Sequence, residues 1–176
     1  VEKVDIYKSW YKLKNMIECY NNRHMNIVKT LDQYNDNCIY FCDPIKNNVM
    51  DDGNFIRILY STSTFTLNGV YLLIRLNDIY VEKYYNKYKC IFNSNGHKEM
   101  IERVKMIEDN LLKKINIKNK MPQNKIYEQL KNGNIKIFSE INPKTATNTF
   151  LLKISGVWET DTNYGVTYKF SKINHP

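Results

Sequence analysis

Cysteine is scarce in this chain of 176 residues: four stand irregularly at Cys19, Cys38, Cys42 and Cys90, and no Asn-x-Ser/Thr sequon occurs. Both observations point to an intracellular, reducing setting in which the cysteines act as small hydrophobes. Long apolar runs are missing as well. The longest, such as Val70 to Ile74, falls far short of a bilayer span, so no membrane partner is expected. No charged, apolar and small-residue leader opens the chain. It starts at Val1 rather than methionine, which reads as an excerpt or a processed product.

The usual signs of covalent chemistry are also absent. His24, His97 and His175 are scattered, with no nucleophile or carboxylate at a motif spacing. Cys38, Cys42, Cys90 and His97 can be drawn together as a zinc set on paper. However, the Cys-x3-Cys lies inside an apolar strand pattern and the second pair is seven apart, so spacing gives no support. Asp51-Asp52-Gly53 and Asp161 read as turn residues. No phosphate-binding glycine loop occurs. The chain therefore does not read as an enzyme, and no catalytic residue, metal or cofactor is expected.

What is present is positive charge, unevenly placed. Residues 1–44 hold six Lys/Arg and six Asp/Glu, so the net +8 (26 − 18) lies entirely in residues 45–176. Segregated charge suggests a polyanion-binding domain joined to a neutral appendage, although an Asn-, Lys- and Ile-rich composition also makes many proteins basic.

Periodicity divides the chain at about the same place. Ile6, Trp10, Leu13, Ile17 and Tyr20 recur at alternating spacings of four and three, and the pattern continues through His24 to Ile27, Leu31 and Tyr34. This predicts a helical appendage over 1–37. It would be docked on its own domain or self-associated into a homo-oligomer through residues 6–34, and Asn21-Asn22 could break it into a hairpin. From Cys38 the period becomes two. Strands are expected in 38–44, 55–65 and 69–76, with a further one in the Tyr-rich 80–93. A helix with Met100, Val104, Ile107, Leu111 and Ile115 on one stripe is expected over 98–115. A shorter helix should end at Gly133. Strands return in 134–141, 149–159 and 164–173. The expected fold is a β-rich α+β domain over 38–176: a five-stranded OB-like barrel with an inserted helix and an N-terminal amphipathic helical segment. An α+β sandwich fits the pattern nearly as well.

Strand parity then separates a core face from a ligand face. Ile56, Ile58, Tyr60, Val70, Leu72, Ile74, Ile135 and Ile137 are assigned to the core, as are Phe150, Leu152, Ile154, Trp158, Tyr164, Val166, Tyr168 and Phe170. The opposite face offers Arg57, Arg75, Lys136, Lys153 and Lys169, one cation per strand and no acid, with Phe55, Tyr71 and Phe138 beside them. Cations track a phosphate backbone while exposed rings stack on unpaired bases. A solvent-facing sheet also carries Lys and Arg for solubility alone.

Two stretches, "GNFIRILYSTSTFTLNGVYLLIRL" (53–76) and "FLLKISGVWETDTNYGVTYKF" (150–170), resemble single-stranded DNA-binding proteins of large nucleocytoplasmic DNA viruses. Those are similar to the replicative single-strand binder of the T-seven phage type. The resemblance spans about 38–173. It implies an oligonucleotide-binding fold that coats single-stranded DNA during replication or repair and contacts replication proteins. It also implies a location in a viral replication compartment or the host nucleus or cytoplasm. Such proteins often end in an acidic tail, whereas this sequence ends at His175-Pro176. Two other readings stay open: a viral structural or scaffold protein assembling through the helical seam, and an RNA-binding regulator.

Overall fold

The structure is a computed structural model, and it describes residues 27–47, 53–85, 87–138 and 148–173. In chain order the strands before the first helix are β1 (Ile39–Phe41), β2 (Ile45–Lys46), β3 (Asn54–Ser61), β4 (Thr66–Asn68), β5 (Val70–Arg75), β6 (Tyr80–Tyr84) and β7 (Lys87–Ile91). Helix α1 (Lys98–Ile115), β8 (Met121–Gln123), helix α2 (Lys125–Lys131), β9 (Asn134–Ile137), β10 (Thr149–Glu159) and β11 (Asn163–Lys172) follow.

The spine is the β10–β11 hairpin, whose alternation is the longest in the chain. It is closed by Thr160, whose amide donates to the Asn163 carbonyl at 2.8 Å. The outer edge of β10 is shared by two strands. β5 pairs with residues 149–154 and β3 with 156–159, both antiparallel. Beyond Arg57, β3 leaves β10 and continues beside β1 and β4. Gly69 makes this exchange of partners feasible. Its φ is +105°, and a Cβ there would sit 2.6 Å from the Ile154 carbonyl oxygen, which only glycine avoids. On the other side, β11 takes β8 and β9 in parallel, and β9 leads through β7 to β6.

The barrel expectation is overturned by this topology. The described residues form eleven strands in one mixed, open sheet, ordered β1-β3-β10-β11-β9-β7-β6 along its main path, with two α-helices. Closure would require β6 to pair back onto β1. Instead the β6–β7 hairpin attaches outward on β9, which follows α2 and lies in parallel beside β11. The Tyr-rich segment expected as one strand is that hairpin, turned at Tyr85 with φ 51°.

The N-terminal amphipathic helix is corrected where it can be seen. Residues 1–26 of the seam lie outside the described residues. At its end, Lys29 donates to the Tyr71 carbonyl and accepts from the Leu73 amide, each at 2.9 Å, pairing in parallel beside β5. Those bonds commit the backbone to sheet rather than helix. Two 3-10 turns follow, at Leu31–Gln33 and Asp36–Cys38.

Both helices cover one face of the sheet. α1 buries Ile101, Val104, Ile107, Leu111 and Leu112 and ends at Asn116 in the left-handed conformation. They meet Ile135, Ile137, Phe150, Leu152 and Phe170 in a continuous core with Ile58, Leu72 and Ile74. Each fully buried large side chain contributes roughly 1.5–3 kcal/mol. The one buried charged residue among those described is Glu108 of α1. Its two carboxylate oxygens accept the amides of Ile126 at 3.0 Å and Tyr127 at 2.9 Å, capping α2 from outside. Burial pushes its carboxyl up to about 7 while the two amides pull the other way. The helices fix β8 and β9 beside β11 and, among the described residues, leave the opposite sheet face without a helix, its β5 end covered by Val28 and Ile173.

Candidate nucleic-acid interface

Paired positions in neighbouring strands point to the same face, so the register reads as a map of the open face. Lys153 on β10 pairs with Tyr71 on β5 and with Lys169 on β11. Ile137 of β9 lies beside Phe170 of β11 in parallel, which sets Lys136 beside Lys169 one residue earlier. Lys136 pairs with Lys89 of β7, and Lys89 with Glu82 of β6. One transverse line therefore runs Tyr71–Lys153–Lys169–Lys136–Lys89–Glu82. Its four consecutive lysines sit on adjacent strands, about 4.8 Å apart at the backbone. Among the described residues of this face, Glu82 on the outermost strand is the one acid.

The Lys169 ammonium titrates below its ordinary range, chiefly because it is partly removed from water and secondly because Lys153 repels it. Lys153 also sits 5.2 Å from the Tyr71 ring centroid, which places a cation over an aromatic face.

Of the residues expected at the ligand face, Lys136, Lys153 and Lys169 come together in this line. Tyr71 joins the line but is only 7% exposed, packed with Val28, Leu151 and Ile173, so its ring does not present an open stacking surface. Phe138 lies just past the end of β9 at 53% exposure, with the Lys87 ammonium 4.6 Å from its centroid. Arg57 sits farther along the spine, donates to the Asn68 side chain at 2.8 Å and lies 5.9 Å from the Phe55 ring. Arg75 stands apart, lining a cleft with His97, Glu99, Arg103 and Asp32 near the start of α1. Arg103 is ion-paired there with Asp32 and Glu99.

Two residues of this face escaped the sequence reading. Lys89 was hidden because its segment was not divided into two strands. Trp158 was assigned to the core, and the structure reverses it. A β-bulge between Ile154 and Gly156 adds a residue to β10, so Val157 is fully buried and Trp158 turns to the open face opposite Phe55. Gly156 inside a strand pattern was the available signal.

At that end Phe55 lies over Gly156, and the Trp158 indole lies over Gly165, where a Cβ would meet its Cζ2 at 2.8 Å. Glu159, next along β10, is held by Lys120 at 2.9 Å and Asn54 at 2.8 Å, which draws its carboxyl below the usual range and fixes the strand end. Among the described residues no grouping of three or more metal-ligand side chains occurs, and no helix is long and apolar enough to cross a membrane. His97 accepts the Asn77 amide at 3.2 Å, and burial pushes the Cys90 thiol up to about 11.

No protein-family model, no curated protein and no solved structure matches the chain.

Proposed function

We propose that the open sheet face binds single-stranded nucleic acid, with little regard to sequence, and that the protein shields unpaired DNA. The observation that carries this reading is the transverse line of Lys153, Lys169, Lys136 and Lys89 on the face left uncovered by the helices. Solubility alone does not call for like charges at neighbouring cross-strand positions, since these repel one another. A polyanion turns that repulsion into affinity, because each neutralised phosphate also releases counterions. Exposed apolar side chains on the same face, including Phe138 and Tyr80, favour unpaired bases over a closed duplex, whose bases are already stacked. The setting in viral DNA replication, and contact with replication proteins, rest on the resemblance of residues 53–76 and 150–170 alone.

Fluorescence anisotropy with a labelled oligothymidylate and with a duplex of equal length tests the reading. The single strand should bind more tightly, and the Lys153→Glu/Lys169→Glu variant should weaken it by tenfold or more. Equal weak binding to both forms, or no loss in the variant, would overturn the assignment.

A further inference from the structure

We infer that Trp158 is a base-stacking platform, the point at which this face takes a nucleobase rather than a phosphate. The inference rests on the proposed single-strand binding and adds a residue and a contact to it. Glycine at position 165 lets the indole lie against the sheet: the Cβ it lacks would stand 2.8 Å from Cζ2 and 3.0 Å from Cε2 of the ring. One side of the ring is thus occupied by backbone, and Trp158 as a whole stays partly exposed on the open face. The bulge at Ser155 and Gly156 is what brings the indole to this side of the sheet.

Trp158 and Phe55 are half-buried, and their neighbours across the strands are mainly apolar. Ile45 pairs with Phe55, Phe55 with Trp158 and Trp158 with Gly165, whose β8 neighbour is Gln123; Met121, paired with Asn163 two residues away, lies on the same face. Ile45 is 54% exposed and Met121 67% exposed, and with half-buried Phe55 and Trp158 between them they form a shallow, mainly apolar shelf without a covering layer among the described residues. Arg57 sits one pleat away, opposite Gly156, between this shelf and the lysine line. From Gly165 to Lys169 is four residues of β11, or about 13 Å along the sheet. A strand that passes the stacking surface and then Arg57 reaches the lysine line at Lys153 and Lys169, and from there turns across the sheet along Lys136 and Lys89. Charge complementarity selects a nucleic acid over an apolar peptide as the occupant.

The test uses the full chain with Trp10→Phe, which leaves Trp158 as the one tryptophan of two. Its fluorescence should be quenched on titration with oligothymidylate and much less with an abasic strand of equal length. Trp158→Leu should weaken oligothymidylate binding by about 5-fold to 150-fold, the span of single base–aromatic stacks, while abasic binding is unchanged. Trp158→Phe should recover part of the loss. Gly165→Ala, which displaces the ring without removing it, should act like a milder Trp158→Leu. Binding that survives Trp158→Leu undiminished, with oligothymidylate and abasic strands equal, would overturn this inference and leave strand binding intact. No binding to either strand would overturn the reading beneath it as well.

Discussion

Replacing both Lys153 and Lys169 by alanine should change how the affinity responds to salt, by an amount the geometry sets. Four lysines stand in the transverse line, and the proposed binding assigns one phosphate to each. For single strands the slope of log Kobs against log salt is about −0.7 per phosphate, so four contacts predict about −2.8. Raising salt from about 50 to about 200 mM should then weaken binding ~50-fold. With two lysines removed the slope should fall to about −1.4, and the same change in salt should cost only ~7-fold. Anisotropy titrations at four salt concentrations measure this directly. Lys105→Ala/Lys113→Ala on α1 is the control, because that helix covers the opposite face. An unchanged slope in the Lys153/Lys169 variant, or equal flattening in the control, would refute the assignment of phosphate contacts to the line.

Other outcomes follow from the frame that holds this face. At about pH 4.5, where Glu108 is protonated in the fold, Glu108→Gln should destabilise it by roughly 1–3 kcal/mol in urea titration, because one of the amides it caps then faces an N–H donor. Burial raises the folded-state value of Glu108 above its ordinary 4.5 to about 7, so the folded protein retains a proton that the unfolded chain has lost. Its contribution is fully present below about 4.5 and is lost as pH rises through about 7, a decline of up to roughly 3 kcal/mol that should vanish in Glu108→Gln. Gly69→Ala should destabilise by about 1–3 kcal/mol, through its positive φ and the Ile154 carbonyl 2.6 Å from the added Cβ, and thermal unfolding reports this. Leu152→Ala, at a fully buried position of the spine, should cost about 2–5 kcal/mol in the same assay.

Much of the local structure was legible because it depends on short-range periodicity. The 3.6-residue stripe over 98–115 coincides with α1, and strand parity placed Ile56, Ile58, Leu72 and Phe170 in the core correctly. Partner choice was not legible, since it depends on which strands meet after long connections. Nothing in the segment 134–137 announces that β9 will lie parallel to β11, yet that pairing sets Lys136 beside Lys169 and opens the sheet. The assignment of Trp158 failed through a single extra residue, the bulge at Gly156, which inverts parity for the rest of β10. Tyr71 was placed on the right face, but its burial depends on Val28, whose segment joins the edge of β5 and had been read as helix.

The central claim is that a single strand lies on the open sheet face. Titrating isotope-labelled protein with oligothymidylate and following backbone amide shifts locates the ligand directly. The largest shifts should fall on Lys153, Lys169, Lys136, Lys89 and Trp158, while α1 and α2 stay nearly still. Shifts concentrated on residues 98–131 would place the ligand on the helical side and contradict it.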